Sequence, residues 1–471
     1  MRRTKIVCTV GPSTESLETL RDIIRAGVDV FRLNYSHETP EKHRAVAGRI
    51  RTAAREVGRP VAVLQDLPGP KIRLGSIAAG GISLRAGDAF TLTTKKVEGD
   101  QQRAWVDYAK LVGEVHAGQT LLLADGSVEL KIQSVTKEGI HCRVLTGGQL
   151  TSRKGVTVPR GALSVSAFTA QDRRHLLCGL EVGVDITALS FVRSAADIKA
   201  ARSFLARHKA THPLMAKIEK PEALDNLDEI IASVDAVMVA RGDLGVEIPA
   251  AEVPLVQKDI IAKSIDAAKP VVTATQMLRS MVESPRPTRA EAADVANAVL
   301  DGTDALMLSE ETAVGAYPVE AVRTMAEIAE RAEKRLFAQR PFTSLPPPEP
   351  GDLSEAIGHA ACLLAYSVGA RAIVCCTREG QTARLVAKYR PTIPIIAVSP
   401  REKTVHGLML TWGVFPVLSR AFESTATMIV TSLDLAGKTG LVPPGQPVVV
   451  VGGAPTARPG QPDFLRVSRI P

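Results

Sequence analysis

Apolar and polar positions along the first two thirds of the chain fall into two alternating textures. Short apolar runs at 6–10, 28–34, 61–67, 185–191, 213–219, 235–241, 270–276 and 304–309 have the length and the β-branched content of buried strands. Between them, segments such as LETLRDIIRAG (17–27) and AADIKAARSFLARH (195–208) repeat their apolar residues at helical spacing. Eight rounds of strand then helix predict a (β/α)8 TIM barrel, whose chemistry gathers at the C-terminal ends of the strands.

The pattern breaks twice. Between the third and fourth strands, stretches 82–94, 120–135 and 139–148 alternate apolar and polar residues and turn at Gly and Asp, which predicts a small antiparallel β domain. An insertion leaving from a βα loop lies over the active end, so a small β-barrel lid domain is expected at 71–166, with barrel segments at 1–70 and 167–340. The second break is proline-rich PFTSLPPPEPGDL (341–353), read as a linker. Beyond it a helix-like stretch leads into strand-like runs at 371–377, 394–399, 414–419 and 447–453, predicting a C-terminal open α/β regulatory domain within 341–471.

Composition narrows the class. With 471 residues, 23% charged and 45% apolar, the chain reads as an ordinary multi-domain globular protein. Its net charge of +8 comes from scattered Lys and Arg, which argues against nucleic acid and suits small phosphorylated substrates. Six cysteines form no C-x-x-C pair, the usage of buried free thiols in a reducing, cytoplasmic setting. The apolar stretch after Arg2 and Arg3 is too short for a targeting signal, and no run approaches a membrane span.

Two strands run straight into charge: MAKIEKPEALDN (215–226) and DAVMVARGDLGVEIP (235–249). Side chains at i and i+2 of a strand share a face, so Lys217 and Glu219 project together and Asp243 follows the next strand. Carboxylate oxygens suit a hard cation such as Mg²⁺ (or Mn²⁺) that keeps water and takes substrate phosphate, and a nearby ammonium can neutralise a moving phosphoryl group. Arg32 and Asn34 share a face, with Ser36 just beyond; the arginine fork fits phosphate or carboxylate, and fits equally a salt bridge that ties the loop. Asp66, Arg241, Thr275, Ser309 and Glu311 also fall at strand ends, where each taken singly is as often a cap as a catalyst. His37 and His43 lack metal-ligand spacing and read as surface histidines. Gly437–Thr439 resembles the end of a P-loop, but Ser432 stands where its first glycine is required.

Taken together, KIVCTVGPST, FRLNYSH, QDLPGPKIRLG, ADG, RKGVTVP, LSFVRS, AKIEKPEALDN, VARGDLGVEIP, ATQMLRSM, PTRAEAADVANAVLDGTDALMLSEETAVGAYP and TARLVAKYRPTIPIIAVS resemble the pyruvate kinase family, in family order and over nearly the whole chain. The resemblance implies transfer of phosphoryl from phosphoenolpyruvate to ADP, giving pyruvate and ATP, usually by a homotetramer. It makes Glu219 and Asp243 the Mg²⁺ ligands and Lys217 the stabiliser of the phosphoryl in flight and of the enolate. Arg32 would hold the phosphate with Arg73 facing it, and the backbone of Ala240, Arg241, Gly242 and Asp243 would cradle the substrate carboxylate. Thr275 would serve proton delivery with Ser309 beside it, and Pro12, His37 and Lys154 would lie on the nucleotide side.

Potassium-dependent relatives carry threonine and glutamate at the positions of Leu67 and Lys71. Here Lys71 is expected to replace the monovalent cation near Asn34, Ser36, Asp66 and Leu67, and with Leu74 it implies that K⁺ is not required. In the C-terminal domain Thr377, Arg378, Gly380, Gln381 and Thr382 are candidates for a phosphorylated effector, although an ordinary strand-to-helix turn fits them as well. Two other functions fit parts of the pattern. A lyase or aldolase on the same barrel has no need of the lid or Lys154, and a metabolite sensor has no need of Thr275.

Overall fold

The computed structural model describes residues 1–78, 80–159, 161, 164–339, 348, 351–454 and 461–471; most of the expected linker at 341–353 lies outside them. Strands β1 (Lys5–Thr9), β2 (Val30–Asn34) and β3 (Ala62–Asp66) open the barrel. The insertion supplies β4 (Ile82–Leu84), β5 (Ala89–Thr93), β6 (Arg103–Trp105), β7 (Thr120–Leu123), β8 (Val128–Val135), β9 (Ile140–Thr146), β10 (Gly148–Leu150) and β11 (Val156–Thr157). The barrel resumes with β12 (Ile186–Leu189), β13 (Leu214–Ile218), β14 (Ala236–Ala240), β15 (Val271–Ala274) and β16 (Ala305–Leu308). All eight parallel strands close in the order β1-β16-β15-β14-β13-β12-β3-β2, as the alternating texture predicts.

Local sequence explains the connections. The helix Leu17–Ala26 starts at Ser16, whose side chain accepts the Thr19 N–H, and stops at Gly27, whose φ of +119° a side chain would resist. Inside the barrel, Val30, Leu64, Ala188, Met215, Met238, Val272, Ala274 and Met307 form one apolar cluster. Alternate residues on the same strands therefore carry this interior face upward to the C-terminal rim.

The inserted domain departs from the expected all-antiparallel sheet. Six of its strands form one sheet in the order β11-β7-β8-β9-β5-β6 while β10 and β4 pair separately, but β5 and β6 pair in parallel, because the segment between them returns to the end where β5 began. Residues 73–75 then bond to both outer edges: Leu74 N–H to the Lys154 carbonyl at 2.8 Å and Gly75 N–H to that of Trp105 at 2.7 Å. This stitch joins the sheet into a ring. Gly75 is required there, since a Cβ would lie 2.1 Å from the Trp105 indole.

The C-terminal sheet comprises β17 (Ile373–Cys376), β18 (Ile395–Ser399), β19 (Val414–Leu418), β20 (Pro447–Gly452) and β21 (Phe464–Arg469), ordered β19-β18-β17-β20-β21, with only β21 antiparallel. It docks on the barrel end opposite the charged rim. Arg390 pairs with Asp304 at 2.9 Å, Lys5 Nζ donates to the Val414 carbonyl at 2.6 Å, and Met409 and Leu410 join the barrel's interior cluster.

Candidate active site

The interior face delivers charge to the upper rim in register. Above Met215 on β13 come Lys217 and, just past the strand, Glu219; above Leu64 comes Asp66, above Val30 comes Arg32, and above Ala188 comes Ser190. The Lys217 ammonium stands 2.7 Å from Glu219 Oε1 and 3.4 Å from Asp66 Oδ1, and donates to the Ser190 hydroxyl at 2.8 Å. Arg32 Nε donates to Asp66 Oδ2 at 2.7 Å, and its Nη1 donates to Thr9 Oγ1 at 3.0 Å. Asp66 thus bridges the two cations.

Burial opposes ionisation of Asp66, but Lys217 and Arg32 outweigh it and hold the carboxyl below its ordinary pKa. Burial likewise opposes charge on Lys217, and Asp66, Glu219 and Asp243 reverse the balance and hold the ammonium above the ordinary lysine value. Glu219 shifts upward. Burial is the main cause, Lys217 opposes it, and the neighbouring Asp243 carboxylate adds to it.

Glu219 is 1% exposed. Its Oε2 accepts the Phe191 N–H at 2.7 Å, and Oε1 stands 2.7 Å from the Lys217 ammonium. Asp243 stands in the first turn of the helix Arg241–Glu247, half-buried. A buried carboxylate beside a second carboxylate that repels it is the electrostatic setting a divalent cation relieves. Among the described residues no group of three or more His, Cys, Asp or Glu is arranged for a metal. Two carboxylates fit a cation whose remaining positions go to water and substrate.

Across the rim, Thr275 follows β15 with φ of +71° and Gln276 with +55°. The Thr275 hydroxyl accepts the Gly242 N–H at 2.8 Å and donates to the Ala274 carbonyl at 2.6 Å. Among the described residues Ser309 Oγ is buried without a hydrogen-bond partner, while the Ser309 N–H donates to Glu311 Oε2 at 2.7 Å. Glu311 also accepts the Leu278 N–H at 3.1 Å, so its carboxylate laces the two loops together.

Several expected residues take other partners. The Arg241 guanidinium bonds to the Ala274 and Thr275 carbonyls and to Asp294, which leaves the backbone of the Ala240–Asp243 segment as the part expected to meet a carboxylate. Lys71 Nζ pairs at 3.3 Å with Asp125, at the tip of the β7–β8 hairpin, rather than with the Asn34, Ser36, Asp66 and Leu67 group. Asn34 Oδ1 accepts the Ser36 N–H at 3.1 Å, and Leu67 is buried. Arg73 Nη1 donates to the Arg153 carbonyl at 3.0 Å, within the inserted domain.

Pro12, His37 and Asn34 line one cleft with Gly11, Glu15 and Lys42. Lys154 is exposed on the inserted domain and does not line it. Lys71 and Asp125 face Asp243, Lys220 and Arg193 across a second cleft, between insertion and barrel. His43 is a correction. It is buried, stacked on Tyr35 at 4.0 Å, and its Nε2 lies 3.0 Å from the His37 carbonyl, since its helix turns that face onto the barrel.

In the C-terminal domain, Thr377 and Thr382 are buried and Thr377 Oγ1 accepts the Gly380 N–H at 2.9 Å; Arg378 and Gln381 are exposed. Glu379 pairs with Arg401 at 2.9 Å, which offsets the carboxylate beside the loop. Sequence reasoning missed Ser190 and Thr9 as contacts of the charged cluster. Both were findable, since each stands two residues beyond an interior strand position, Ala188 and Val7.

Comparison with known proteins agrees with this architecture. Residues 1–322 match the family model for the pyruvate kinase barrel domain, and residues 355–468 match that for the pyruvate kinase alpha/beta domain. The chain is 45% identical to pyruvate kinase 2 of Synechocystis sp. over all of its own length and 79% of that relative. It is 44% identical to the pyruvate kinase of Geobacillus stearothermophilus and 42% identical to that of Sporosarcina psychrophila, again over its whole length and covering 80% and 81% of those proteins.

Proposed function

This chain belongs to the pyruvate kinase family and is a phosphotransferase of that kind, and we propose that Lys217, Arg32, Glu219, Asp243 and Thr275 carry its chemistry. The substrates the family implies are phosphoenolpyruvate and ADP. The observation that supports the site assignment best is the continuous pairing Arg32–Asp66–Lys217–Glu219 at the barrel's upper rim.

Phosphoenolpyruvate stores an enol. The bond between phosphorus and the enol oxygen breaks as an ADP β-phosphate oxygen takes the phosphorus, and the enolate left behind gains a proton at its methylene carbon to become pyruvate. Glu219 and Asp243 would hold Mg²⁺ or Mn²⁺, which when bound neutralises charge on the substrate's carboxylate and phosphate oxygens. Lys217 stabilises the phosphoryl in flight and the enolate oxygen. Arg32, clamped by Asp66, orients the phosphate, and Arg73 on the insertion faces it when the lid closes. Backbone groups of Ala240, Arg241, Gly242 and Asp243 receive the carboxylate. Thr275, directly or through water, delivers the proton once its hydroxyl leaves the Ala274 carbonyl, and Ser309 lines the same side.

Pro12, His37 and Lys154 form the nucleotide side, with Lys154 brought in by the lid. Residues 1–70 and 167–340 act as the barrel, 71–166 as the lid and 341–471 as the regulatory domain. Lys71 provides the positive charge that potassium provides in other members, so K⁺ is not required. Thr377, Arg378, Gly380, Gln381 and Thr382 receive a phosphorylated effector, and the protein works as a cytoplasmic homotetramer. Among the described residues no helix is long and apolar enough to cross a membrane. The deciding experiment is a coupled assay of pyruvate formation from phosphoenolpyruvate, ADP and Mg²⁺ with K⁺ present and absent. Absence of turnover under both conditions would refute the assignment; strong K⁺ activation would refute the role of Lys71 alone.

A further inference from the structure

Val272 and Ala274 of β15 face the barrel interior, so strict alternation would send residue 275 outward toward the helices. The chain instead enters the left-handed region at both Thr275 and Gln276. A β-branched residue is disfavoured there because its Cβ crowds the backbone carbonyl, and such conformations persist only where surrounding contacts impose them.

One side chain supplies most of those contacts. Arg241 Nε donates to the Ala274 carbonyl at 3.2 Å and Nη2 to the Thr275 carbonyl at 2.7 Å, gripping two successive peptide groups. Its Nη1 is tied to Asp294 at 2.8 Å and to Gln257 Oε1 at 3.3 Å, on two flanking helices. The next residue's N–H, from Gly242, closes the arrangement on the Thr275 hydroxyl. A planar fork can hold both carbonyls and a carboxylate at once, whereas a lysine ammonium on a flexible stem cannot.

We infer that Arg241, oriented by Asp294, is a positioning residue that keeps Thr275 in its left-handed conformation with the hydroxyl turned to the substrate side. This rests on the reading of Thr275 as the proton-delivery group. It acts on protonation of the enolate, and so on turnover, with no contact to phosphoenolpyruvate by the guanidinium.

The test is the reverse protonation step, read as exchange of pyruvate methyl protons for deuterium in D2O by NMR, with Mg²⁺ and ATP. It is run beside kcat, KM for phosphoenolpyruvate and melting temperature. Thr275→Ala and Arg241→Gln should both slow exchange and kcat on the order of 10- to 100-fold, with KM changed less than about threefold. Asp294→Asn should act in the same direction more weakly, and Arg241→Lys should fail to rescue. Normal exchange in Arg241→Gln beside slow exchange in Thr275→Ala overturns the positioning role. Normal exchange in Thr275→Ala overturns the reading of Thr275 on which it depends. Equal losses of kcat and phosphoenolpyruvate binding, with a lowered melting temperature in both Arg241 variants, would reduce Arg241 to a structural residue and also overturn the inference.

Discussion

The Lys217 ammonium lies 2.7 Å from Glu219 Oε1, two residues along the same chain, while it donates to Ser190 on the neighbouring strand at 2.8 Å. The period of two in a strand makes the first contact, and the barrel's side-by-side packing makes the second. Lys217→Met removes the ammonium that stands against Glu219 Oε1. Turnover should fall by on the order of 10²- to 10³-fold, about 2–4 kcal/mol of barrier, with a much smaller change in KM. Ser190→Ala should lower kcat by a smaller factor, on the order of tenfold, because it loosens the ammonium without removing it. Steady-state kinetics on both variants checks the order; a Ser190→Ala loss as large as that of Lys217→Met would contradict it.

Glu219 is a buried carboxylate that the nearby Asp243 carboxylate repels. Glu219→Ala should weaken Mn²⁺ binding by on the order of tenfold or more, as seen by titration with paramagnetic detection, since one of the two proposed protein ligands is lost. Unchanged affinity would place the metal elsewhere.

Lys71 meets Asp125 across the cleft between insertion and barrel. If Lys71 stands in for the cation as proposed, Lys71→Glu should bring K⁺ activation that the parent does not show, because a carboxylate there needs a counter-charge beside the substrate phosphate. The assay compares rates in K⁺ and in tetramethylammonium. If the variant shows the parent's indifference to K⁺, Lys71 does not stand in for the cation.

His212 is buried beside Thr187, and burial lowers its pKa from 6.5 to about 4. The folded chain keeps the ring neutral while the unfolded chain protonates it below 6.5, so the unfolded state binds more protons between about 4 and 6.5. Stability should therefore fall as pH drops through that window, by up to about 3 kcal/mol from this residue. Urea unfolding at pH 7 and pH 4.5 for the parent and His212→Gln measures it: the variant should show the shallower decline.

The strands and the paired charges of β13 were legible because burial on both faces leaves unbroken apolar runs, and because neighbours at i and i+2 need no tertiary information to share a face. The side-chain contacts of Arg241 and Lys71 were not legible, for the opposite reason. Their partners, Asp294 and Asp125, are remote in sequence, and a long cationic side chain reaches whichever acceptor the fold presents. His43 was read as exposed because its polarity outweighed its place on the inward face of its helix. The parallel pairing of β5 and β6 carries no sequence signature, since alternation is the same in both strand directions.

By itself the sequence determined which residues form strands, which side chains share a face, and that a lysine and carboxylates end neighbouring strands. Only the tertiary structure decided that Asp66 joins Lys217 to Arg32, that Ser190 anchors the ammonium, and that Thr275 turns back against the alternation of its strand. Periodicity is a property of the local backbone, whereas these contacts depend on barrel closure, which fixes distances between segments that the chain itself leaves unconstrained.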